Sequence, residues 1–138
     1  MWGRRRGIDL VDTPETDVFF ERLDRVTREQ LLAMRAAWHS IPSREHEEAW
    51  AAVRAVGDRT GLSKEIGRVR NKALAWSSRG LNSVPFFHDD EAGWLQAKGE
   101  ASEAIVDAAL AVALGDRLDA GTRETLLGPW RRATEGLG

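Results

Sequence analysis

Residues 104–114 read Ala-Ile-Val-Asp-Ala-Ala-Leu-Ala-Val-Ala-Leu, and Asp107 is the one charged side chain in the run. Drawn as a helix, the stretch is apolar on nearly every face, and such a helix belongs in an interior. Its alanines let neighbouring backbones come close, which suits the middle of a bundle. The run is far shorter than the roughly 20 apolar residues that cross a bilayer. Asp89-Asp90-Glu91 marks the expected start of this helix and Gly115 its end, so the pattern predicts one helix over about 90–114. The fold expected around it is all-α: a single-domain bundle of four or five helices.

Working outward, Thr13-Pro14-Glu15 has the residue types of a helix start, with a capping hydroxyl, a first-turn proline and a dipole-matching carboxylate. Phe19, Leu23, Val26, Leu31, Met34, Trp38 and Ile41 continue at helical spacing. Thr27 with Gln30 has the form of a second capping box. The stretch is therefore one helix over about 14–40, or two with a bend near Thr27, and Pro42 stops it. A further helix is expected over about 44–57. The next begins at Ser63, where Leu62, Ile66, Val69, Ala73 and Trp76 form a stripe. Gly80-Leu81 resembles a Schellman ending, and Leu81–His88 reads as an apolar loop. Beyond Asp119 a short helix should reach Leu127, with Pro129 opening a separate last turn. No segment alternates with period two, so no sheet is expected.

The chain has 138 residues, 20 Lys+Arg against 22 Asp+Glu, six Trp and no Cys. That length is right for one domain, and it buries enough surface to need no staple. Without Cys there is no disulfide framework, no thiolate zinc site and no cysteine nucleophile. Arg4–Arg6 are followed by Ile8-Asp9-Leu10-Val11-Asp12, and the two aspartates break what a signal peptide would need as an apolar core. Residues 1–12 are expected as a flexible arm on a soluble, cytoplasmic protein with no membrane partner. Between residues 62 and 88 there are five basic side chains and one acidic, a basic island in a slightly acidic chain.

The ending, with AIVDAALAVALGDRL, a spacer and Leu126-Leu127-Gly128-Pro129-Trp130, resembles a group of small uncharacterised actinobacterial helical proteins. In these an Ala-rich helix precedes a Leu-x-x-Pro-Trp box. The likeness covers about residues 100–132; it implies a helical fold and carries no activity.

Three constellations could bear chemistry. His39, His46, His88 and Asp107 could line a small enzyme or ligand pocket. Familiar metal spacings are absent, however: His46-Glu47 lacks a second His four residues on, and the positions three before each His hold Ala36, Ser43 and Pro85. Glu100, Glu103 and Asp107 would share one face of a continuous helix. Asp107, if buried there, needs a partner, for which an arginine is the expected choice; otherwise it lies on a solvent-facing edge. Lys64, Arg68, Arg70, Asn71, Lys72 and Arg79 are the residue types of a nucleic-acid-reading helix, with Arg4–Arg6 as a minor-groove arm. The apolar spacing after Gly61 is one residue short of a helix-turn-helix, so the same cations also read as an ordinary solvated face. Trp38, Trp50 and Trp76 fall on the apolar stripes of three helices, as core anchors whose indole N–H groups need acceptors.

Val84, Pro85, Phe86 and Phe87 form an aromatic loop segment, either a lid over the bundle or a patch for a partner. The reading placed first is a non-catalytic protein-interaction or regulatory module, self-associating or binding a protein through these four residues. Nucleic-acid binding through residues 63–79 and the histidine pocket are the alternatives. No catalytic residue, no metal ligand and no cofactor is assigned.

Overall fold

Thr13 and Thr27 each accept a hydrogen bond from the backbone N–H three residues on, and Thr16 and Gln30 bond back to the cap backbones. Two complete capping boxes cut the N-terminal stretch into α1 (Pro14–Leu23) and α2 (Arg28–His39). A computed structural model describes residues 9–86 and 89–135. It continues with α3 (Ser43–Thr60), α4 (Ser63–Ser78), a 3-10 turn (Leu81–Phe86), α5 (Asp89–Glu100), α6 (Ser102–Leu114), a second 3-10 turn (Gly115–Arg117) and α7 (Ala120–Glu135). The all-α class is as expected, and no strand occurs among the described residues. Among the described residues seven helices stand in place of four or five.

The higher count has local causes. The helix expected over 90–114 divides at Ala101, and Glu100 and Glu103 therefore belong to different helices. At the other end, Pro129 lies inside α7 instead of opening a separate turn. A proline clashes with the Cβ of the residue before it, and here that residue is Gly128, which has none. Burial of Leu126, Pro129, Trp130 and Ala133 holds the helix through the missing N–H bond. Asp119 caps α7, accepting from the Thr122 backbone N–H and hydroxyl. Gly80 is left-handed, φ 87°, but Arg79 before it is already extended, so α4 does not end in a Schellman motif.

α6 packs against α1, α2, α4, α5 and α7, and Ile105, Ala108 and Ala109 are sealed from solvent. It is the central helix that its composition predicts. α3 is the exception: it packs on α4 and α7 rather than on α6. Gly57 permits the close α3–α4 crossing, since a Cβ there would meet Ser63 Oγ at 2.7 Å. Leu10 is buried, so the chain joins the body of the bundle before Thr13, where the arm was expected to end. Among the described residues no helix is long and apolar enough to cross a membrane.

Ile105→Ala removes a fully buried branched side chain from the helix on which five others rest. It should cost about 2–5 kcal/mol in urea unfolding, whereas Val18→Ala, 57% exposed, should stay within about 0.5 kcal/mol.

Candidate functional site

Asp107 is 3% exposed in the middle of α6. An unpaired carboxylate so placed would be costly, and both of its oxygens are satisfied. Trp38 Nε1 at the end of α2 donates to Oδ2 at 2.9 Å, and Trp50 Nε1 on α3 donates to Oδ1 at 3.0 Å. The expected arginine is thus replaced by two indoles. His46 packs beside both rings, stacked on Trp38 at 4.0 Å and near-parallel to Trp50 at 5.5 Å, while the two indoles lie 6.3 Å apart. His46 Nε2 donates to the Trp38 carbonyl at 2.9 Å, which assigns the proton to that nitrogen because a carbonyl can only accept. Burial raises the Asp107 carboxyl above its ordinary value of 3.8; the Trp50 and Trp38 hydrogen bonds and nearby His46 oppose the rise without cancelling it.

This arrangement is a tie between helices and a poor acid–base centre. Both Asp107 oxygens and His46 Nε2 are engaged, and neither residue is open to solvent. His39 is exposed and meets only the edge of Trp38 at 5.1 Å, while His88 lies outside the described residues. Glu100 pairs with Arg35 at 3.5 Å. Among the described residues no three His, Asp or Glu side chains converge as metal ligands.

A second aromatic cluster joins α1, α4 and α5. Trp76 Nε1 donates to Asp24 at 2.7 Å and Trp94 Nε1 to the Val26 carbonyl at 2.9 Å. Lys98, buried on α5, places Nζ 4.6 Å from the Trp76 ring centre and 5.0 Å from that of Trp94. Burial, reinforced by Arg79, lowers its pKa against the pull of Asp24. The ring faces stabilise the cation by the attraction of their negative quadrupoles.

Beside the Asp107 tie, a groove of about 470 Å³ opens between α3, α4 and α6. From α3 come Trp50, Val53 and Arg54; from α6 come Glu103, Val106, Asp107 and Leu110. The α4 wall carries Ile66, Gly67, Arg70 and Leu74. Gly67 stands in the interior of α4, and a Cβ added to it would meet nothing within 4 Å. Leu74 is one of two large apolar side chains exposed among the described residues. Neither Arg54 nor Arg70 pairs with a carboxylate among the described residues.

Five of the six residues proposed to read nucleic acid stand on α4, in different surroundings. Arg68 reaches Glu65 at 3.4 Å, and Lys72 lies 4.0 Å from Asp12 and over the Phe20 ring. Lys64 and Asn71 are exposed, Arg70 lines the groove, and Arg79 stands past the end of α4. Val84, Pro85 and Phe86 fall in the first 3-10 turn, and Phe87 lies outside the described residues. Sequence reading passed over the groove and Lys98. Two signals for the groove were present: a glycine inside a helix, and Leu74 off the Leu62–Trp76 stripe.

No protein-family model, no curated protein and no solved structure matches this chain.

Asp107→Leu leaves two indole N–H groups without an acceptor and should cost about 2–4 kcal/mol in urea unfolding. Asp107→Asn keeps one acceptor and removes the buried charge. The raised pKa means that the folded state holds the proton more tightly than the unfolded chain. Wild-type stability relative to Asp107→Asn should therefore fall as pH rises upward from the ordinary value of 3.8, then level off. Wild-type stability that instead rises with pH relative to Asp107→Asn would show that burial does not raise the Asp107 pKa.

Proposed function

We propose that this protein is a non-catalytic binding module that works through the groove between α3, α4 and α6. The supporting observation is Gly67. Glycine in a helix interior costs about 0.5–1 kcal/mol relative to alanine, and a glycine that makes room for a packed neighbour recovers that cost through the contact. Here the space beside it is empty. The open groove that it borders measures about 470 Å³, within the range of small-molecule sites. The histidine constellation supplies no comparable opening, because the shallow depression over Trp38 and His39 has no room for a water. The resemblance of residues 100–132 to small actinobacterial helical proteins bears on the fold alone.

Nile red, an uncharged dye that brightens in apolar surroundings, tests the site. Wild-type protein should bind it saturably. Gly67→Phe should abolish the signal while keeping the helical circular dichroism, and Leu74→Glu should weaken it at least tenfold. Val18→Ser, on an exposed face of α1, should bind as wild type. Equal binding by wild type, Gly67→Phe and Leu74→Glu, or no saturable binding at all, would exclude the groove as a site. Gly67→Ala should itself raise stability by about 0.5–1 kcal/mol in urea unfolding, since the new methyl meets no atom.

A further inference from the structure

We infer that the groove takes a small amphipathic monoanion, an acyl carboxylate being the type, with its chain along the apolar floor and its charge at Arg54 and Arg70. The inference rests on the groove being the binding site and adds the class of ligand. Size is the first argument. About 470 Å³ suits a ligand of small-molecule dimensions, whereas a protein partner needs a contact of roughly 800 Å² on each side. Ser63 and Leu74 bound the α4 wall, and at 1.5 Å per residue that wall is about 16 Å long, enough for an extended medium-length acyl chain.

Chemistry is the second argument. Val53, Ile66, Val106 and Leu110 line the floor and Leu74 extends it at the rim, so the bulk of a ligand must be apolar. Arg54 and Arg70 come from different helices, and each is exposed without a carboxylate partner among the described residues. A guanidinium presents a planar fork that matches a carboxylate with two parallel hydrogen bonds. Glu103 and Asp107, on the α6 side of the lining, set two carboxyl groups against those two guanidinium groups, which disfavours a phosphate dianion and makes a single negative charge the most the groove takes. Asp107 is 3% exposed and accepts from two indoles, so it sits at the back of the lining, away from the two exposed guanidinium groups.

Displacement of Nile red by decanoate, decanol and decyltrimethylammonium, each below its micelle threshold and at low salt, tests the ligand class. Decanoate should displace the dye at a concentration at least tenfold below that of decanol, and decyltrimethylammonium should be weakest. Arg54→Gln with Arg70→Gln should erase the advantage of decanoate and leave decanol unchanged. Raising the salt should narrow the gap in the wild type alone. Dye binding that Gly67→Phe blocks, with decanol equal to decanoate or the cation preferred, would overturn the monoanion and leave the groove standing. An advantage of decanoate that survives the double substitution would overturn the role of the two arginines. Absence of Gly67-sensitive dye binding would remove the site itself.

Discussion

A buried carboxylate with two indole donors determines how α2 and α3 meet the rest of the bundle. Asp107 lies on the helix that five others pack against, yet α3 is not one of those five. Where two helices meet through alanine their axes come close; where a tryptophan spans the distance they stay apart. α3 reaches α6 through the whole length of Trp50, ending in a hydrogen bond. The tie therefore acts as a spacer as well as a link. Removing the carboxylate would leave two stranded indole donors, and that penalty holds the arrangement in place although burying the charge is itself costly.

The same device recurs at the second aromatic cluster. Trp76 and Trp94 turn their N–H edges to Asp24 and to the Val26 carbonyl while their faces flank Lys98. Four tryptophans thus meet polar groups at the ring edge and apolar or cationic groups at the face. An all-α fold rich in alanine gains little burial from each small side chain, and large aromatics restore it. Two of the three carboxyl or amino groups so engaged, Asp107 and Lys98, are buried, and burial pushes each toward its neutral form.

Much of this was legible from local pattern. The all-round apolar run of 104–114 identified the central helix, and Thr27 with Gln30 marked where the N-terminal stretch divides. Pro129 misled because the penalty for proline in a helix depends on its predecessor and on burial; glycine at 128 relieves the first and the core supplies the second. The break at Ala101 is announced only by Gly99 two residues earlier, a weak signal because an isolated glycine is tolerated inside a helix, as Gly67 is in α4. Asp107 was singled out correctly as a buried charge needing a partner. Its partners lie 57 and 69 residues away in the chain, and no spacing rule reaches that far.

The groove was hidden for a related reason. A cavity is a property of three helices at once, and each wall read singly looks like an ordinary amphipathic helix. Arg54 and Arg70 are surface cations on their own helices, and only the distance that Trp50 imposes on α3 leaves an opening between them and α6. Trp50 and Asp107 also belong to the lining. The tie that joins the helices is thereby part of the wall. A negatively charged ligand beside the Asp107 carboxyl would favour its protonated form by like-charge repulsion. Binding and the charge state of Asp107 are then linked through one hydrogen-bonded pair, with no need for motion elsewhere in the bundle.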